Sequence, residues 1–262
     1  MKVLKVSNYH EMSIAGAMII HEAVTAKLGS GGNFNLGLAT GNTMIELYET
    51  LAGMFNDEKA DLSKLRTWNL DEYAADEHHA VAHDHPLSYW KYMHENLFDC
   101  FLPERNFRES QAHFPDPADP GRFDRELANS GELDLQLLGI GFNGHIAFNE
   151  PMKSTEISVA AYGELPTRVL PLTRETIEQN TRVTANGDAS LVPRFAATAG
   201  MKPILKAKRE LLLACFAEQE TPLRRMIAGK APTPELPASY LLGHPDFMLI
   251  YTADKIDLDG VL

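Results

Sequence analysis

The sequence predicts an α/β protein with a mostly parallel, Rossmann-like, doubly wound sheet and helices on both faces. Three observations lead there. Short apolar runs alternate with helical-period stretches along the chain. Those runs are continuously apolar rather than alternating, as in strands buried on both faces. Three of them end in polar turns rich in Gly or acid, where such sheets build their sites.

Val3–Val6 reads as the first short strand. Glu11 to Leu28 carries Met12, Ala15, Ile19, Ala23 and Ala26 at helical spacing, with Met18 beside them, and Gly29-Ser30-Gly31-Gly32 stops it. Phe34 to Ala39 is a strand and Thr43 to Phe55 a helix. Leu65 to Leu70 is a third strand. Pro86 to Phe98 is helical, with Trp90, Met93 and Leu97 on one side. Leu133 to Ile140 is a strongly apolar strand, Arg168 to Leu172 another, and Arg174 to Asn180 a short helix. Glu210 to Phe216 is strand-like, Pro222 to Ala228 helical, and Phe247 to Tyr251 the last buried strand. No repeat or linker divides the chain, so a single domain over residues 1–262 is expected.

Size and charge narrow the classes. For 262 residues, area scaling gives about 11,000 Å² exposed when folded, enough burial for one sizeable core. The net charge of −12 (24 basic, 36 acidic) argues against nucleic acid as partner, yet permits a small anion in a locally positive pocket. Two distant cysteines, Cys100 and Cys215, suit free thiols in a cytoplasmic protein. The start Met1-Lys2-Val3-Leu4-Lys5-Val6 does not read as a signal peptide, and no run approaches a membrane span.

Two segments fit the alternation poorly. Ala74 to His85 is polar and holds His78, His79, His83 and His85, four of the ten histidines; Met152 to Pro166 is irregular. Both follow predicted strands, so lids are expected near 74–85 and 152–187. The histidine pattern matches no metal-ligand spacing, and no metal site is expected there.

The chemistry gathers at three strand ends. Leu36-Gly37-Leu38-Ala39-Thr40-Gly41-Asn42-Thr43 runs from a strand through a Gly turn into a helix. Such a turn points backbone N–H groups at one spot, and the helix dipole favours an anion there. The simpler reading is a tight turn with Thr43 as helix cap. Trp68-Asn69-Leu70-Asp71-Glu72-Tyr73 places two carboxylates at a buried strand end, where a raised pKa suits proton transfer; capping of the next segment is the alternative. Leu138-Gly139-Ile140-Gly141-Phe142-Asn143-Gly144-His145-Ile146-Ala147-Phe148-Asn149-Glu150-Pro151 sets a histidine between polar partners on a constrained loop, as an acid/base group or as a structural histidine.

With these motifs in order, together with His85-Pro86-Leu87-Ser88-Tyr89 and Thr233-Pro234-Glu235-Leu236-Pro237-Ala238-Ser239, the chain resembles the glucosamine-6-phosphate deaminase (isomerase) family over roughly Leu36 to Tyr251. The resemblance implies conversion of an amino-sugar 6-phosphate and water to a keto-sugar 6-phosphate and ammonia, with no metal or redox cofactor. It implies His145 as the ring-opening group, oriented by Asn143 and Glu150, and Asp71 as the carboxylate that moves the C2 proton. It implies substrate contacts from Thr40, Gly41, Asn42, Thr43, Glu72, Gly144 and the phosphate-binding Arg182. Family members occur in several assemblies, so a homo-oligomer is compatible.

Three departures stand out. Gln219 fills the place of the family's phosphate-binding Lys, with Glu218 and Glu220 beside it; Lys202, Lys206 and Arg194 are candidates to compensate. The lid after Pro151 is longer, and only Thr167-Arg168 resembles the end of the family's Ser-Arg-Thr-Arg. Gly200-Met201-Lys202-Pro203 replaces a Gly-Val-Gly-Thr-like turn. Alternatives are a galactosamine 6-phosphate type of enzyme, a 6-phosphogluconolactonase, against which Tyr73 and Glu150 argue, and a sugar-phosphate sensor. A sensor of the transcription-regulator kind needs a DNA-binding module for which the chain has neither length nor charge.

Overall fold

The computed structural model describes residues 1–262. The first half runs β1 (Lys2–Val6), α1 (Tyr9–Gly29), β2 (Phe34–Leu38), α2 (Ile45–Asp57), β3 (Leu65–Asn69), β4 (Asp71–Ala74), α3 (Tyr89–Asn96), β5 (Ala112–His113), α4 (Pro120–Ser130) and β6 (Leu135–Leu138). The second runs α5 (Val159–Gly163), β7 (Arg168–Pro171), α6 (Arg174–Val183), β8 (Phe195–Thr198), α7 (Met201–Leu205), β9 (Glu210–Ala214), α8 (Glu220–Gly229) and β10 (Phe247–Thr252).

Seven strands form one sheet in the order β1-β10-β9-β6-β2-β3-β5, and every pair is parallel. Its centre is the apolar sequence seen above: Leu36, Leu38, Leu137, Leu138, Leu211, Leu212 and Leu213 are almost wholly buried. Truncating one such Leu to Ala costs about 2–5 kcal/mol. The accessible surface is 11616 Å². No helix is long and apolar enough to cross a membrane.

Local sequence sets the helix starts. Asn8 caps α1 by accepting from Glu11 N–H, while the Glu11 carboxylate accepts from Ser7 N–H (2.8 Å). Ser88 caps α3, so this helix starts three residues after the expected Pro86. The cap position of α2 is Met44, with no side-chain bond, so the proposal of Thr43 as its cap is corrected.

A second sheet, β4-β8-β7, is antiparallel and was not anticipated. The Arg168–Leu172 strand belongs to it, not to the large sheet. β8 is hidden in sequence because Phe195-Ala196-Ala197-Thr198 is short and small-residued. The chain crosses between sheets at Leu70, whose N–H donates to Leu38 O (3.0 Å) and whose carbonyl accepts from Ala199 N–H. The small sheet has its own apolar cluster of eight buried residues, including Tyr73, Phe148, Val192 and Ala196, separate from the main core.

Candidate active site

Four neighbouring strands of the large sheet, β9, β6, β2 and β3, end at one cavity of about 200 Å³. Residues 39–43 follow β2, Leu70 and Asp71 follow β3, residues 139–141 follow β6, and Gln219 comes in after β9. Thr176 and Asn180 reach it from α6.

Asp71 and Glu72 are adjacent in β4, and neighbours in a strand face opposite ways. Asp71 lies on the cavity wall, 6% exposed, and accepts no hydrogen bond within the protein. Burial, and secondarily the Glu72 charge, push its carboxyl up to about 8. Glu72 turns away. Its oxygens accept from the N–H groups of Tyr73 (2.7 Å), Tyr89 (2.8 Å) and Trp90 (2.8 Å) and from Ser88 Oγ (3.0 Å). Burial raises its pKa, and these four donors counter the rise. The capping reading of the motif thus applies to Glu72, while Asp71 has the raised pKa on which the proton-transfer reading rests. Glu72 caps α3 and is absent from the cavity wall, which corrects its assignment to substrate.

The loop after β6 is built around His145. A Cβ on Gly141 would lie 2.3 Å from the His145 ring, so only glycine lets the imidazole rest there. Asn143 Oδ1 accepts from His145 N–H (3.1 Å), and its Nδ2 donates to Glu150 Oε2 (2.9 Å). Glu150 Oε2 lies 3.6 Å from His145 Nδ1, beyond hydrogen-bond range, and that buried nitrogen has no other partner. Burial pushes the Glu150 pKa up, but His145, Thr176 and Asn143 together hold it below its ordinary value. Ala147, at φ 52°, turns the loop into the cavity; left-handed backbone on a non-glycine residue is strain of the kind kept at functional sites. Asn143 and Glu150 stand behind His145 rather than on the wall. Gly144 is also off the wall. It sits at φ +89°, a Cβ there would lie 2.3 Å from the Leu236 side chain, and its carbonyl accepts from Ala238 N–H (3.0 Å).

At the β2 turn, Thr40, Gly41 and Thr43 line the cavity, whereas Asn42 is exposed and only its carbonyl is used, accepting from Tyr9 OH (3.1 Å). Gln219 lines it too, but its amide is largely committed. Oε1 accepts from Cys215 N–H (2.8 Å) and Phe216 N–H (2.9 Å), and Nε2 donates to Ile140 O (3.0 Å). No Lys or Arg lies on the wall. Arg182, to which the resemblance gives the phosphate contact, is exposed on α6, bonded to Gln179 (2.5 Å), and is not on the cavity wall. Nor do the other candidates replace the missing lysine. Lys202 pairs with Glu164 (2.9 Å), Lys206 lies with it in a groove beside α4, and Arg194 lines a separate hollow with His85 and Ser190.

Thr176, Asn180 and Tyr89 are wall residues that sequence reasoning missed. Thr176 and Asn180 are one helical turn apart in a helix that was expected, and that spacing puts them on one face; nothing in the sequence says which face looks inward. Tyr89 ends the quoted His85-Pro86-Leu87-Ser88-Tyr89. Three of the four histidines at 78–85 are spent locally: His79 pairs with Asp76 (2.8 Å), His83 stacks on Trp90 (4.0 Å) and His85 accepts from Leu87 N–H (3.1 Å).

An unpartnered carboxylate facing into a cavity that also holds a carboxylate-backed imidazole is equipped to shuttle protons at carbon and oxygen. Residues 7–249 match the family of glucosamine-6-phosphate isomerases and 6-phosphogluconolactonases. The chain is 36% identical to a glucosamine-6-phosphate deaminase of Halothermothrix orenii over 98% of its own length and all of that protein. It is 35% identical to the same enzyme of Clostridium botulinum (strain Loch Maree), again over 98% of the chain and all of the relative. The solved structure of a monomeric glucosamine-6-phosphate deaminase superposes with a TM-score of 0.85 at 30% identity, over 98% of this chain and all of that one. The 6-phosphogluconolactonase of Thermotoga maritima superposes at 0.66 with 17% identity, over 96% and 99%, which is a likeness of fold.

Proposed function

The chain belongs to the family of glucosamine-6-phosphate isomerases and 6-phosphogluconolactonases, and within it we propose that this enzyme converts glucosamine 6-phosphate and water to fructose 6-phosphate and ammonia. The observation that carries the reading is Asp71, a buried carboxyl with no partner in the protein, on the same cavity wall as His145.

In this reading His145, backed by Glu150, moves the O1 hydroxyl proton to the ring oxygen as the sugar opens to its C1 aldehyde. Asp71 then takes the C2 proton while O1 takes one from solvent, giving an enolamine, and a proton returned to C1 leaves an iminium at C2. Water adds there, ammonia leaves, and the C2 ketone remains. The raised Asp71 pKa suits the task. A substrate ammonium at C2 stabilises the ionised carboxylate on arrival, and a base held near neutral pH is stronger than an ordinary Asp. The phosphate goes to the β2 turn, where Thr40, Thr43 and backbone N–H groups offer donors near the start of α2.

The segment 152–187, with α6 in it, acts as the lid over this cavity. Rotation of α6 on closure brings Arg182 toward the phosphate, supplying the cation the cavity wall lacks. The segment 74–85 is the opposite rim. The reaction is an aldose–ketose isomerisation coupled to deamination, in amino-sugar breakdown in the cytoplasm.

The test is ammonia release from the purified protein with glucosamine 6-phosphate, run beside galactosamine 6-phosphate and unphosphorylated glucosamine. Release from the first alone is the expected result. Release only from galactosamine 6-phosphate moves the specificity to the other epimer, and release from none removes the reading. Arg182→Ala should raise KM for glucosamine 6-phosphate and leave unchanged the inhibition constant of unphosphorylated glucosamine as a competitor.

A further inference from the structure

Helix α6 carries two threonines whose hydroxyls behave differently. Thr181 Oγ1 donates to Ile177 O (2.7 Å), the back-bond to the preceding turn usual for a helical threonine. Thr176 does not. Its hydroxyl leaves the helix and donates to Glu150 Oε1, while its own N–H is held by the cap residue Thr173 (3.2 Å). Thr176 is 1% exposed, so this is a bond made in the interior.

The Glu150 carboxylate is thereby held at both oxygens. Oε1 takes Thr176, and Oε2 takes Asn143 Nδ2 and faces His145 Nδ1. A carboxylate free at one oxygen can swing about its last torsion, which is broad for such groups. The Thr176 bond removes that freedom. One turn further along α6, Asn180 Nδ2 donates to Tyr73 OH (2.7 Å), two residues from Asp71. One helix face thus touches the supports of both proton-transfer groups.

We propose that Thr176 is a positioning residue: it fixes the Glu150 carboxylate so that Oε2 stays on the His145 ring, and it makes that alignment depend on the seating of α6. This rests on the reading of His145 and Glu150 as the acid/base pair. The other titratable groups around Glu150 are Tyr162, whose OH donates to the Glu150 carbonyl (2.8 Å), and Arg168, held by Asn149 Oδ1 (2.8 Å). Neither bonds the carboxylate oxygens, so Thr176 is the contact by which α6 reaches them.

The experiment compares wild type with Thr176→Val, Thr176→Ala and Thr176→Ser. Ammonia release from glucosamine 6-phosphate is measured from pH 5 to 9, beside a ¹³C titration of the Glu150 carboxyl. Both variants lacking the hydroxyl should lose about tenfold in kcat with KM within about threefold. Their Glu150 midpoint should move up by about one pH unit, the scale of one hydrogen bond to a charged group, while the acid limb that Asp71 sets stays in place. Thr176→Ser should restore wild-type behaviour within about twofold. An unmoved Glu150 midpoint in both Val and Ala variants, or a Ser variant as impaired as they are, overturns the proposal. If wild type releases no ammonia yet the midpoint still moves, the positioning role stands and the assigned reaction falls.

Discussion

Asp71 and Glu72, joined by one peptide bond, have opposite fates: Glu72 accepts four hydrogen bonds at the start of α3, and Asp71 accepts none. A strand turns successive side chains to opposite faces, so one step of sequence separates a fully hydrogen-bonded carboxyl from an unpartnered one on the cavity wall. The anchor holds β4 against α3 and so keeps its neighbour on the cavity wall.

Asp71→Asn should abolish turnover while ligand affinity stays within about tenfold, because the base is removed and the shape kept. Ammonia release and calorimetric titration with glucosamine 6-phosphate check it. Full activity would take Asp71 out of the chemistry.

The wild-type pH profile follows from the same residue. Its carboxyl is raised to about 8, and the reaction needs it ionised. kcat/KM should therefore climb about tenfold per pH unit below that value and level off above it. Stability should run the other way. A carboxyl raised in the folded state stabilises it fully only below its unfolded pKa. That contribution is lost between about pH 4 and 8. Asp71→Asn should accordingly melt higher than wild type at pH 8 and nearly level with it at pH 4.

His145→Gln should impair the cyclic substrate far more than an acyclic aldehyde analogue that lacks the ring-forming hydroxyl. Equal losses on the two, measured as kcat/KM, would count against a ring-opening role.

Glu72→Gln should act on stability first. One carboxylate oxygen becomes an amide facing N–H donors, a loss of about 3 kcal/mol on the scale of hydrogen bonds to charge. For a chain of this size that is a fall of roughly 6–12 °C in Tm, with the Asp71-dependent pH profile of the folded fraction moved to lower pH, because the Glu72 charge that helps raise Asp71 is gone.

Glu210 offers a check outside the site. It is fully buried at the start of β9, with neither oxygen bonded. Its neighbour in register is Gln136, whose Oε1 is also unpaired, and His244 Nδ1, at 3.9 Å, already accepts from Asp246 N–H. Only a protonated Glu210 suits such acceptors, and burial raises its carboxyl to about 9. Its stabilising effect is complete below about pH 4 and gone above about 9. Melting curves of Glu210→Gln should show a gain over wild type that grows from pH 6 to 9.

Much of this was legible in the sequence because strand-end loops keep their chemistry contiguous. The Gly141–Glu150 stretch holds Gly141, Asn143, His145 and Glu150 within ten residues, and in the fold they lie against one another. What escaped were groups whose meaning lies in orientation. Arg182 matches by position, yet its guanidinium points outward; Thr176 and Asn180 are ordinary helical polar residues until the inward face is known. The second sheet escaped for a related reason. The four residues of β8, Phe195-Ala196-Ala197-Thr198, carry no periodic signal, and pairing across β4, β8 and β7 is a long-range event.

That second sheet is held by eight buried residues, against fifty-two in the main cluster. The two ledges of the cavity thus belong to bodies of very different cohesion. Exchange of amide protons with solvent should be fastest through β7, α6 and β8 and slowest in β9 and β6. Opening of the cavity on that side would leave the larger body's packing untouched.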